Sequence, residues 1–511
     1  MSTSRRFKAL VACAAVLAAT VTTTSVTIAT ADPDPLARFD GQHVDWHDCA
    51  LGADDELGRA LDDSGADCAD ITVPLDYTDP GGRTITVALS RRKATDTAHR
   101  VGALLLNDGG PAGAGLHMPL TKRKVMGKVA DRYDLIGMDP RFVGRSTPLD
   151  CGWNLGSAPL RSAGADRAGY REEVALARDL AERCKRTQGD VLPYVTTRNT
   201  ARDMDVIRAA LGEKTLSYLG YSYGTYLGEV YTQLFPGRTD RMVLDGVMPP
   251  ERYSSTLLRG SEAANEAALH AWASWTAARD DTYGLGATRA EVLATVDHIL
   301  DAAAEKPLRI GETYLLDEHV VPALFIGGLG SDLDKRRAEL AETVRLLARA
   351  ADREPVEPSE ELAGQLSFLL TGAGSAPASQ MTAILCGDMA ERRGVGSYWR
   401  AVEESRDRFP LAGPLANNIN PCEFWDRPVE EPTVLDNDIP ALLVAGTGDP
   451  RTLYSGARAM REQWSSSRLL TVDGARQHGL YGEYGNACVD ERVNAYLNTG
   501  RLPARDLTCE A

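Results

Sequence analysis

Short apolar runs, each bounded by turn-forming residues, recur along the chain: Val101–Asn107, Tyr133–Asp139, Leu216–Tyr221, Arg241–Val247, Pro440–Thr447 and Arg468–Val472. Runs of this length, apolar at most positions, predict strands buried on both faces, the habit of parallel sheets. Two earlier stretches, Ile71–Tyr77 and Thr84–Leu89, alternate around an Asp79-Pro80-Gly81-Gly82 turn, as antiparallel strands with one solvated face do. Helical spacing fills the gaps. Residues 166–186 read as a helix. In 197–212, Ala201, Met204, Ile207 and Leu211 share one face and Gly212 is a C-cap candidate. Tyr223–Phe235 is a further helix, ended by Pro236-Gly237. This strand–helix–strand alternation predicts the α/β class: a mostly parallel sheet with flanking helices.

After Pro249-Pro250 the pattern changes. Residues 250–430 are rich in Ala, Glu, Leu and Arg, with helical stretches near 260–279, 288–305, 334–352 and 360–370 and no strong strand series. The strand pattern then resumes at Pro440. The helical region is therefore read as an insertion nested in the sheet topology, a cap, and not as a separate C-terminal domain. The predicted division is a signal peptide (1–31), a first part of the core (32–249), the cap (250–430), and a second part of the core with a C-terminal disulfide segment (431–511).

The chemistry is sought first at Gly220-Tyr221-Ser222-Tyr223-Gly224, which follows an apolar strand and opens a helix. Gly-x-Ser-x-Gly in that setting makes a sharp turn that lifts the serine Oγ above the sheet edge. It also leaves the Tyr223 N–H at a helix N-terminus, where an oxyanion is stabilised. A second donor is sought in the glycine-rich turn after the Val101–Asn107 strand, at Gly109 or Gly110. Two later strand ends supply the partners. Asp449 follows Pro440–Thr447 and His478 follows Arg468–Val472. The order Ser222, Asp449, His478 is that of α/β-hydrolase triads. Asp473 is a rival acid, but its place beside Gly474 suits a turn. The other histidines all precede the resumed strands. Asp139 and Arg141 read as braces of a loop and not as catalytic groups.

A net charge of −16 argues against nucleic acid or an anionic membrane surface as partner. Arg5, Arg6 and Lys8 precede an apolar Ala9–Ala19, and Ala29-Thr30-Ala31 completes an export signal with cleavage before Asp32. The apolar run is too short for a stable membrane anchor. Cys13 lies in a weak lipoprotein-like box inside that run, and a free secreted protein, exported by the Sec or the twin-arginine route, is the expectation. The other cysteines fall as local pairs in chain order, predicting disulfides Cys49–Cys68, Cys151–Cys184, Cys386–Cys422 and Cys488–Cys509. No Cys-x-x-Cys or histidine cluster supports a metal, and no cofactor is expected.

With these residues in hand, the chain resembles the secreted tripeptidyl aminopeptidases of actinomycetes, α/β hydrolases related to prolyl aminopeptidases. The likeness runs from about Val73 to Cys509. It is carried by Val73–Tyr77, Asn107–Pro111, Tyr133–Gly137, Asp203-Met204-Asp205, Leu219–Thr225, Val243–Gly246 and the closing cysteines. Asp108, Ala112, the loosened Phe142–Ser146 loop, Arg451 and Gln477 depart from the family's usual residues. The resemblance implies release of short peptides, tripeptides above all, from a free N-terminus through an acyl-enzyme on Ser222. A peptide is then the substrate, and a cap carboxylate must pair its ammonium. Asp388, Glu391 and Glu423, beside the expected Cys386–Cys422 bridge, are the candidates. An esterase or lactone hydrolase on the same scaffold is the alternative. The oligomeric state is not legible.

Overall fold

The structure, a computed structural model, describes residues 35–389 and 391–511; the expected export signal lies outside them. Its frame begins with β1 (Asp67–Pro74), β2 (Thr84–Arg92), β3 (Gly102–Asn107), β4 (Tyr133–Met138), β5 (Leu216–Tyr221) and β6 (Thr239–Asp245). A small hairpin, β7 (Leu308–Ile310) and β8 (Tyr314–Leu316), stands apart within the insertion. β9 (Ala441–Gly446), β10 (Arg468–Asp473) and β11 (Leu507–Glu510) complete the frame. Among the described residues the main sheet has nine strands in the order β1-β2-β4-β3-β5-β6-β9-β10-β11. β2 pairs antiparallel with both β1 and β4, and every other pairing in this sheet is parallel. This is the α/β-hydrolase architecture that the strand pattern predicts.

The apolar runs behave as their composition requires. Every residue of β3, β5 and β9 is buried. Leu105 and Tyr218 face a core shared with Met204 and Tyr226, from the helices Thr197–Ala210 and Tyr223–Leu234. Leu104, Leu106 and Leu219 face the opposite core, with Met118, Val493 and Tyr496 from the helices Met118–Met126 and Ala487–Thr499. The period of two along each strand thus splits it between two helical layers.

β6 pairs directly with β9, so the long insertion leaves and re-enters the sheet between adjacent strands. It has its own apolar core, including Trp272, Val296, Phe325, Leu340 and Leu366. The helix Arg167–Gln188 packs against the insertion: the Tyr170 ring lies 5.2 Å from that of Trp399, and the Tyr170 hydroxyl donates to Val395 O at 2.6 Å. The four expected disulfides are all formed.

Candidate active site

The strand β5 ends where the chain must turn sharply into a helix. Ser222 takes φ 54° and ψ −123°, a region costly for a residue with a Cβ and a mark of stored strain at a site. Strand and helix meet only because glycines flank the turn. A Cβ on Gly220 would lie 2.6 Å from Gly224 O, and one on Gly224 would lie 2.4 Å from Asn107 Oδ1. Two contacts pin the turn: Ser222 N donates to Asp245 O at 2.9 Å, and Thr225 Oγ1 donates to Ser222 O at 2.7 Å.

Asp449 and His478 come together across the ends of β9 and β10. The His478 Nδ1–Asp449 Oδ2 distance is 2.9 Å. The Asp449 side chain is 2% exposed and that of His478 24%. Thr452 completes the acid's shell: its Oγ1 donates to Asp449 Oδ2 at 2.7 Å, and the amides of Arg451 and Thr452 donate to Oδ1 at 2.7 and 3.2 Å. These bonds leave the acid one direction in which to hold the imidazole. Asp473, the rival acid, is exposed and accepts from Thr447 Oγ1 at 3.2 Å in a surface turn.

The glycine-rich loop lies against the elbow. A Cβ on Gly109 would sit 2.3 Å from Tyr221 O and 3.1 Å from Ser222 Cβ. The Gly109 amide donates to Asn107 Oδ1 at 3.0 Å, so of the two glycines considered for an oxyanion donor, Gly109 spends its N–H within the loop. Asp139 anchors the loop's far end by accepting from the amides of Gly115 and Leu116 at 2.8 and 3.2 Å. Arg141 forms a buried two-point pair with Asp203, at 2.7 and 2.6 Å. Both are braces, as their sequence positions predict.

The cap reaches the histidine itself. His478 N donates to Gly330 O at 2.9 Å. Arg476 N donates to Asp332 Oδ2 at 2.9 Å, and Ser331 Oγ donates to Gln477 Oε1. On the acid loop, Arg451 donates to Ile326 O and, at 3.3 Å, to Asn265 Oδ1. Two of the residues that depart from the family pattern, Arg451 and Gln477, therefore dock the cap. Nothing in their local sequence signals this, because the partners lie well over a hundred residues away. Thr452, three residues after Asp449, also escapes a motif-based reading.

The expected ammonium carboxylates separate. Asp388 has no exposure. Its Oδ1 accepts from Thr197 N at 2.8 Å, and its Oδ2 accepts from Thr197 Oγ1 and, at 2.8 Å, from the Tyr253 hydroxyl. Burial pushes its pKa up. Thr197 Oγ1 is also 2.6 Å from the Tyr223 hydroxyl. Asp388 is thus an internal brace beneath the helix Tyr223–Leu234, which corrects its placing among groups open to substrate. Glu391 and Glu423 are partly exposed. Glu423 accepts from Gly394 N at 3.2 Å. Glu391 Oε2 lies 3.9 Å from Arg259 Nη1, and Arg259 lines a small depression of about 10 Å³ with Met248, Arg451 and Thr452.

Residues 102–290 match the family model described as "alpha/beta hydrolase fold" and residues 410–509 the one described as "TAP-like protein". A tripeptidyl aminopeptidase of Streptomyces lividans is 37% identical over 93% of this chain and 88% of its own length. The chain belongs to the tripeptidyl aminopeptidase family. Within that family and its neighbours, the serine protease Hip1 of Mycobacterium tuberculosis is 28% identical over 92% of this chain and 91% of its own. A carboxylesterase B of the same species is 29% identical over 87% and 86%. The chain is accordingly a serine hydrolase of the α/β-hydrolase fold. No helix among the described residues is long and apolar enough to cross a membrane.

Proposed function

We propose that the protein is a tripeptidyl aminopeptidase working through Ser222, His478 and Asp449. The Asp449–His478 contact at 2.9 Å, together with the strained Ser222 at a strand-to-helix turn, carries the reading. Ser222 Oγ attacks the carbonyl of the scissile bond while His478 Nε2 takes its proton. Asp449 keeps the proton on Nδ1 and stabilises the imidazolium. The amides of Tyr223 and Gly110 receive the oxyanion, each worth about 3 kcal/mol in the transition state. His478 returns the proton to the departing amine, the leaving peptide. It then activates the water that frees the acylated tripeptide from Ser222. Cap carboxylates, Glu391 beside Arg259 and Glu423 near the Cys386–Cys422 bridge, hold the substrate ammonium. The division into a core of 32–249 and 431–511 and a cap of 250–430 serves this chemistry by covering the sheet edge. The disulfides and the basic–apolar N-terminus support export and a secreted enzyme.

The kinship to a carboxylesterase B favours one second reading, an esterase on the same triad. Free and N-blocked tripeptide p-nitroanilides, assayed beside short p-nitrophenyl esters with Ser222→Ala as control, separate the two. Turnover of the free tripeptides alone is expected. Ester turnover without amide turnover would replace the peptidase reading by the esterase one.

A further inference from the structure

Asp245 closes β6, and the chemistry above gives it no task. It has no exposure. Its main-chain carbonyl accepts from Ser222 N at 2.9 Å. Its carboxylate Oδ2 accepts from Leu480 N at 2.9 Å and Tyr481 N at 2.7 Å, the amides that follow His478-Gly479. One residue therefore grips the nucleophile turn with its backbone and the histidine loop with its side chain. Tyr221, just before Ser222, adds a parallel tie by donating its hydroxyl to Tyr481 O at 2.7 Å.

The next residue brings the strand end against the imidazole. A Cβ on Gly246 would lie 3.3 Å from His478 Cε1 and 3.5 Å from Nδ1. The other oxygen of Asp245, Oδ1, is buried and has no hydrogen-bond partner among the described residues. A buried carboxylate left half-satisfied calls for an explanation. A neutral side chain could have filled the same space without that cost. The charged groups that face it are His478 and Lys122, whose Nζ stands 4.4 Å from the Tyr221 ring centroid. Lys122 is itself paired with Glu483, which leaves His478 as the cation whose charge appears during the reaction.

We propose that Asp245 is a second acidic positioning residue, which sets the spacing of Ser222 and His478 and lends its negative charge to the imidazolium alongside Asp449. The inference rests on the triad reading above. Burial raises the Asp245 pKa to about 6, so its charge is present through the neutral and alkaline range in which a histidine base works.

Two substitutions separate grip from charge. Asp245→Asn keeps a carbonyl oxygen for the two amides and drops the charge. Asp245→Leu drops both. The readouts are the pH profiles of kcat/KM and of fluorophosphonate inactivation, with melting curves to confirm folding. Without the nearby negative charge the imidazolium is less stable, so the acid limb of Asp245→Asn is expected at lower pH than that of the wild type. Asp245→Leu is expected to lose kcat at least tenfold with KM within threefold. A wild-type acid limb in Asp245→Asn would overturn the proposal, and this variant decides alone if Asp245→Leu does not fold. A folded Asp245→Leu with wild-type kcat would overturn it equally. Ser222→Ala and Asp449→Asn run in parallel: near-wild-type activity in either would remove the triad on which the proposal rests.

Discussion

The main-chain nitrogen of His478 donates to the carbonyl of Gly330, 2.9 Å away, so His478 is held in place by the insertion as well as by the sheet. Arg451 makes the matching link on the acid side, to Ile326 and Asn265. Hydrogen bonds from a charged donor are worth about 1.5–3 kcal/mol each. Arg451→Met is expected to cut kcat roughly tenfold, about 1.4 kcal/mol in the barrier, and to lower the melting temperature. Steady-state kinetics beside a thermal melt check this; wild-type kcat would show that the acid loop keeps its place without the cap.

Asp449→Asn can keep an oxygen for the Arg451 and Thr452 amides, but its NH2 then faces His478 Nδ1 as a donor and holds the wrong tautomer. By analogy with other triads, kcat should fall on the order of 10⁴-fold. Titration of Ser222 with a fluorophosphonate should slow in parallel while the fold is retained.

Gly109 sits at φ +89° with Tyr221 O where a Cβ would go. Gly109→Ala must push the loop away from the elbow and displace the neighbouring Gly110 amide. Loss of one oxyanion donor costs about 10²–10³ in kcat. An unchanged kcat would mean that the second donor lies elsewhere.

Glu229, on the helix behind Ser222, is fully buried and neither of its carboxylate oxygens has a hydrogen-bond partner among the described residues. Burial holds its pKa well above the usual 4.5. Between the unfolded and the folded pKa the native state binds the extra proton, so stability contributed by this group falls as pH rises through that interval, by up to about 1.4 kcal/mol per pH unit. Glu229→Met has no such proton. Its melting temperature should exceed the wild type's by a margin that widens as pH rises above the usual carboxylate range. A constant margin would contradict the burial argument.

The Cys386–Cys422 bridge closes 36 residues. Chain-entropy reasoning assigns a loop of this size about 3–4 kcal/mol. The double variant Cys386→Ser, Cys422→Ser should lose stability on that scale in denaturant melts. If Glu391 and Glu423 hold the ammonium, KM for free tripeptide anilides should rise more than kcat falls.

The parallel strands β3 to β6, β9 and β10 were legible because each is a separate apolar run between turns. The elbow was legible because Gly220 and Gly224 are demanded by close approach. Other elements carried weaker signals. The helix Ser375–Met389 is buried on nearly every side, so it has no polar face to set a period. The helix Val321–Gly328 is apolar and opens on proline. The strand β11 is four residues long and mostly polar, held by pairing to β10 and by the Cys488–Cys509 bridge. The hairpin β7–β8 is shorter still. Asp388 was misplaced because a charged residue in a cap helix reads as available. Its engagement by Thr197 and Tyr253 depends on contacts across the fold. The same holds for Thr452, Arg451 and Asp245, whose roles no local motif spells out.

The insertion leaves after β6 and returns at β9, two strands already side by side. Geometrically it could be exchanged as a cassette without disturbing the register of the sheet. The Gly330 and Ile326 carbonyls restrict that freedom. A transplanted insertion must also present acceptors to His478 and Arg451, or the chimera will carry a histidine loop that has lost its footing.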